Sequence, residues 1–168
     1  MTVWFTADTH FGHAGAIGRF RRPFRSVQEM DEALVAGWNA VVRPQDEVWH
    51  LGDFAVRASA EQVSTLLARL NGRKHLITGN NDGPATLAAT GWTSIAAYAD
   101  IEVEDVRLIL CHYPFRTWDG MYKGALNLHG HSHGQLAGMA RQVDVGVDVW
   151  NFRPVRLGTI RKRRPRRK

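Results

Sequence analysis

Short apolar runs alternate with amphipathic stretches along the first half of the chain. Residues 3–8, VWFTAD, form an apolar run closed by a carboxylate, the pattern of a strand buried on both faces. Ser26 and Glu29 give the S-x-x-E signature that opens a helix. Val27, Met30, Leu34, Trp38, Val41 and Val42 then recur at helical spacing as far as Pro44. Residues 47–53, EVWHLGD, predict a second strand. Ser59 and Gln62 open a second helix with Val63, Leu66, Leu67 and Leu70 on its apolar face, and Asn71-Gly72 ends it. Residues 74–79, KHLITG, predict a third strand, and Pro84 starts a short helix over 83–90. The second half has a strand rhythm. Residues 100–113 predict a β-hairpin turning near Glu104-Asp105, and 125–131, 142–149 and 153–160 predict three more strands, with a Gly- and aromatic-containing loop over 114–125. The pattern therefore predicts an α/β protein in which helices cover a sheet, followed by an antiparallel β-rich half.

Composition changes this picture little. The 168 residues fit one domain over 1–160, and there is no internal repeat. Cys111 is the single cysteine, which excludes an intrachain disulfide and a cysteine-rich zinc site and fits a reducing compartment. No run approaches the ~20 apolar residues of a membrane span, and the N-terminus shows no signal pattern. The expectation is a soluble, cytoplasmic protein with no membrane partner. The net charge of +6 misleads, because residues 161–168, RKRRPRRK, hold seven of the 22 basic residues. The other 15 face 16 acidic residues, so the body is at −1. Such a block predicts a flexible basic tail that contacts polyanions or serves solubility alone.

The chemistry lies where the strands end. Asp8-Thr9-His10 follows the first, Gly52-Asp53 the second, and Gly79-Asn80-Asn81-Asp82 the third; His112 ends RLILC, and His131 and His133 follow LNLHG. The carboxyl ends of strands are where sites form in open α/β sheets. Carboxylates and imidazoles gathered there repel or go unsatisfied unless a cation bridges them. Nitrogen and oxygen donors without thiolate suit Mn, Fe, Zn or Ni. Residues i and i+2 of a strand share a face, so Asp8 and His10 reach one ion if the strand continues through them, and His131 and His133 do the same. Glycines 52, 79 and 130 let the backbone turn beside the ions.

D-x-H, G-D, G-N-x-D, a lone His and G-H-x-H, in that order over residues 6 to about 155, resemble the calcineurin-like metallophosphoesterase superfamily, in particular its compact bacterial and phage members. The resemblance implies a four-layer αββα sandwich with two mixed β-sheets and a dinuclear metal site at the C-terminal ends of the strands. It implies two divalent ions, with manganese favoured: Asp8, His10 and His133 on the first, Asn80, His112 and His131 on the second, and Asp53 between them. It further implies a phosphoesterase that works by a metal-bound hydroxide attacking phosphorus in line.

Many members carry His after the Asn of G-N-x-D, where this chain has Asn81. Asn81 donates to a phosphate oxygen but shuttles no proton near neutral pH. His13 is the substitute candidate for that proton, or else a histidine that packs its loop. Asp82 completes the catalytic candidates as the orienter of the Asn80 loop. Arg116 and Asn80 are the candidate substrate contacts; Arg116 and Trp118 either meet phosphate and base or fold their loop onto itself. Asp148 is a partner for a ligand histidine, while His50, His75 and His129 read as packing residues. The expected substrate is a phosphodiester, nucleotide or nucleic acid included. The alternatives are a phosphomonoesterase acting on nucleotides or proteins, and a catalytically weak interaction scaffold.

Overall fold

The computed structural model describes residues 1–162; residues 163–168, most of the predicted tail, lie outside the described residues. Strand β1 (Val3–Thr6) leads through the Asp8–His13 loop to a short helix, α1 (Ala14–Arg19), which the hydrophobic pattern did not signal. Helix α2 (Val27–Asn39) starts where Ser26 accepts from the Glu29 N–H, while the Glu29 carboxylate takes the Arg25 N–H and so makes only half a capping box. Strand β2 (Glu47–His50) is followed by α3 (Ala60–Arg69), whose Ser59–Gln62 capping box is complete. Strand β3 (Arg73–Ile77), helix α4 (Pro84–Ala88) and strand β4 (Trp92–Ala96) close the first half. The hairpin is β5 (Tyr98–Val103) and β6 (Val106–Cys111); Glu104 and Asp105 both take φ > 0, as a two-residue type I′ turn requires. Strands β7 (Leu126–His129), β8 (Gln142–Asp144) and β9 (Val155–Arg156) follow, and α5 (Leu157–Lys162) ends the described chain.

Two mixed sheets result, with orders β4-β3-β2-β1-β9 and β5-β6-β7-β8. In the first, only β9 runs antiparallel. The second corrects the expectation of an antiparallel half: β5–β6 is antiparallel, but β6, β7 and β8 are parallel. Parallel neighbours need crossovers of a dozen or so residues, and 112–125 and 130–141 supply them as loops rather than helices. A second correction concerns 153–160, where the strand lasts two residues before α5 begins, so Arg161 and Lys162 belong to a helical turn.

The strands of the first sheet feed two cores. Val48 and Leu76 join the helices through Met30, Leu34, Trp38, Val63 and Leu67. Their neighbours Phe5 and Ile77 face the second sheet, against Leu108, Leu110 and Leu128. On the outer face of the second sheet Ile109 is covered by Trp118 and Ala125 from the 112–125 loop, which includes one 3-10 turn over Met121–Lys123. Among the described residues no helix is long and apolar enough to cross a membrane.

Candidate metal centre

The strands stop short of the polar clusters. β1 ends at Thr6 and β7 at His129, so Asp8, His10, His131 and His133 are not placed by strand alternation, contrary to expectation. Left-handed backbone places them instead: Asp8, His10, Asp53, His131 and His133 all have φ between 47 and 66°. Asp and His tolerate this region better than most side chains, and such conformations cluster at functional sites. Gly52, at φ 90°, makes a true turn. Gly79 and Gly130 serve close approach: a Cβ on Gly79 would lie 2.6 Å from the Asp53 N, and one on Gly130 would lie 2.6 Å from the Ala7 Cβ.

All seven residues meet in one place. His10 Nε2 is 3.5 Å from Asp53 Oδ2, and His112 Nε2 is 3.6 Å from Asp53 Oδ1. Asn80 Oδ1 lies 3.1 Å from His112 Nε2 and 3.0 Å from His131 Nδ1. The donor atoms of Asp8, His10 and His133 fall within 4.8 Å of one another, as do those of Asp8, Asp53 and His112. The cluster is rich in acceptors and poor in protons. His112 Nδ1 donates to the Leu51 carbonyl at 2.8 Å, which turns the Nε2 lone pair toward two oxygens. Burial drives the His10 imidazole well below its ordinary value, and its Nε2 faces Asp53 at 3.5 Å. Burial and the Asp144 carboxylate hold Asp8 well above the usual carboxylate range. At Asp53 burial opposes ionisation, but the Asn81 donors and the neighbouring imidazoles outweigh it and lower the value. Asp8 Oδ2 and His10 Nε2 are buried with no hydrogen-bond partner. A cluster in which Asp8 Oδ2 and His10 Nε2 are left without a donor fits divalent cations, and the N/O donor set fits a borderline metal.

A supporting layer holds these groups. Asp148 Oδ2 is 2.7 Å from Nδ1 of His133, a candidate ligand. Its other contacts go to Arg22, a residue the sequence did not flag. Arg22 is buried, donates to both Asp148 oxygens at 2.9 Å, and reaches the carbonyls of Asp8 and Thr9. Phe20 stacks on His133 at 3.4 Å between centroids. Asp82 accepts from the backbone N–H of Asp53, Phe54 and Gly79, and burial pushes it up to about 6 despite those donors. It therefore orients the Asp53 and Asn80 loops and does not line the cleft. Asn81 donates its backbone N–H and side-chain amide to the two Asp53 oxygens at 2.8 and 2.6 Å, so it steadies that carboxylate from the cleft wall.

The open cleft above, about 560 Å³, is lined by His13 and Arg19 as well as by ligand candidates. His13 Nδ1 is 3.2 Å from His10 Nδ1, and burial, then Arg57, lower its pKa. Arg116 is not among the residues lining the cleft; it is exposed on the loop whose Trp118 turns inward to donate to the Ala125 carbonyl. Arg19, on the helix that the periodicity missed, occupies the wall instead. His50, His75 and His129 are packing residues: His50 bonds Thr9, His75 stacks on Trp49, and His129 is buried against the Gly130 carbonyl.

The family profile of the calcineurin-like phosphoesterase superfamily domain matches residues 1–167. An uncharacterized protein of Methanocaldococcus jannaschii is 32% identical over 95% of this chain and 89% of its own. The gene 66 protein of Mycobacterium phage L5 is 29% identical over 88% of this chain and 87% of its own. A crystal structure of an Aquifex aeolicus protein of unknown function superposes with a TM-score of 0.79 at 24% identity, covering 96% of this chain and 98% of that one, and so shares the fold.

Proposed function

Because the chain belongs to the calcineurin-like phosphoesterase superfamily, we propose that it is a dinuclear metal-dependent phosphoesterase that prefers phosphodiesters. In this reading Asp8, His10 and His133 would hold one divalent ion and Asn80, His112 and His131 another, with Asp53 as a ligand to both. When bound, ions of the manganese type lower the pKa of water and offset charge on the phosphoryl oxygens. The observation that carries the reading is the buried, donor-poor cluster with its two unpartnered atoms, Asp8 Oδ2 and His10 Nε2.

The chain's own groups have distinct tasks. Asn81 and Asp82 fix the Asp53 carboxylate and its loop, so its lone pairs keep their aim. Arg19 on the cleft wall offers a guanidinium to a non-bridging phosphate oxygen. His13, beside His10, protonates the leaving oxygen. The diester preference rests on charge: Arg19 is the one cationic side chain on the cleft wall among the described residues, enough for a monoanionic diester and less suited to a dianionic monoester. The cleft is open, which suits nucleotide or oligonucleotide esters.

Initial rates on a chromogenic phosphodiester and the matching monoester test this, with chelator-stripped protein, with and without Mn²⁺. Metal-dependent cleavage that favours the diester is expected. Faster monoester cleavage would sink the preference, and no turnover despite bound metal would return the protein to the scaffold alternative.

A further inference from the structure

The loop that carries His131 and His133 is the least regular part of the site. The crossover over 130–141 holds no helix, and residues 134–141 are all exposed. Within it His131, His133 and Gly134 take left-handed backbone, with φ of 66, 47 and 73°. Two of the three carry side chains, for which this conformation persists only where the surroundings impose it. Asp144, at the end of β8, imposes it. Its Oδ2 accepts from the Gly134 N–H at 2.8 Å and from the Ser132 hydroxyl at 3.1 Å, so both chain neighbours of His133 are tied to one oxygen. Its Oδ1 accepts from the Gly146 N–H at 2.8 Å, and its carbonyl accepts from the Trp150 indole at 2.8 Å. The same residue therefore fastens the His133 turn to the segment that carries Asp148, whose carboxylate meets His133 Nδ1. His131 is held otherwise: its N–H donates to Asp8 Oδ1, and its ring meets the Asn80 oxygen.

Charge adds a second effect. A Cβ on Gly146 would lie 2.7 Å from Asp8 Oδ2 and 2.9 Å from Asp144 Oδ1, so the two carboxylates face the same glycine. Arg22 offsets Asp148, but among the described residues no basic side chain lies within ion-pair distance of Asp144. After burial, it is the Asp144 charge that does most to push the Asp8 carboxyl above its ordinary value. A second negative charge behind an oxygen that has no donor favours a cation on Asp8.

We propose that Asp144 is a positioning residue for the ion that Asp8, His10 and His133 would hold: it fixes the turn that aims His133 and sets a negative charge behind Asp8. The ion on Asn80, His112 and His131 depends on it less, because none of those side chains is fastened through Asp144. The inference rests on the dinuclear reading above.

The test is titration of the chelator-stripped full chain with Mn²⁺, followed by calorimetry and by electron paramagnetic resonance, for wild type, Asp144→Asn and Ser132→Ala. Asn matches Asp in size but carries no charge, and its single acceptor oxygen cannot serve both Gly134 and Gly146. Wild type should take two ions and show the spin-coupled spectrum of a Mn²⁺ pair. In Asp144→Asn one site should weaken by about 10–100-fold while the other stays within about threefold, so the spectrum at the same loading is that of single ions. Ser132→Ala keeps the charge and the Gly134 bond, and should weaken the same site by about two- to tenfold. It carries the test if Asp144→Asn does not fold. Two sites of wild-type affinity in the folded variants would overturn the proposal. Equal weakening of both sites, with a lower Tm of the stripped protein, would also overturn it, since Asp144 would then support the fold and not one ion. A wild type that binds no Mn²⁺ would overturn the dinuclear reading itself, and the role of Asp144 with it.

Discussion

Two histidines touch at the centre of the cleft. His10 is buried and directs Nε2 at Asp53, while His13 reaches the cleft wall with its Nδ1 3.2 Å away from His10. If His13 protonates the leaving oxygen, its loss matters most when that oxygen is a poor leaving group. His13→Ala is expected to slow an alkyl-leaving diester by about 10²–10⁴-fold and a nitrophenyl diester far less. Equal rates for wild type and variant on both would remove the role. Arg22 is the other residue with outsized consequences. Its buried guanidinium neutralises Asp148 and ties down two carbonyls of the ligand loop. Arg22→Met leaves that carboxylate buried without its guanidinium partner and with His133 alone beside it, at a cost of about 3–5 kcal/mol. Calorimetry should show Tm lower by roughly 10 °C; a shift under ~2 °C would show that the pair is dispensable.

Glycine means different things in different elements. Gly18 lies in the last turn of α1, and a methyl group added there would meet nothing within 4 Å, so Gly18→Ala gains helix propensity at no steric cost. A gain of about 0.5–1 kcal/mol follows. Gly52 stands just after β2 at φ 90°, where a Cβ would run into His112 Nδ1 and the Gly79 Cα. Gly52→Ala should cost more than about 3 kcal/mol, since strain and collision add. Paired denaturant titrations check both signs. Equal effects of the two changes would show that the local geometry around β2 has been misjudged.

Across the whole molecule the proposed ligands come from both sheets. Asp8, His10, Asp53 and Asn80 follow strands of the first, and His112, His131 and His133 follow strands of the second. An ion held by residues of both sheets would pin them where the Ala7–Gly146 bridge already joins them. Divalent metal should therefore stabilise the fold and not only enable turnover. At a hundredfold excess over Kd the gain is about 2.7 kcal/mol, or a Tm rise of roughly 5–10 °C when Mn²⁺ is returned to stripped protein. An unchanged Tm would mean that the cluster does not hold the metal.

The sequence alone determined the elements with strong local signals and the order of the motifs. Ser59 and Gln62 cap a helix through their own hydrogen bonds, and Glu104-Asp105 marks the hairpin turn as the polar break between two strand-like runs, although Glu is a poor fit to the positive φ it adopts there. Those are short-range effects, written in neighbouring residues. D-x-H through G-H-x-H likewise named the residues that converge, because strand ends deliver them in chain order. Tertiary structure decided the rest. Helix α1, with two glycines in six residues, has weak propensity and is held by packing, so Arg19 and Phe20 were invisible as cleft residues. Arg22 pairs with Asp148 across 126 positions, a separation no spacing pattern encodes. Whether β6, β7 and β8 run parallel depends on where the loops between them cross, which apolar alternation does not record.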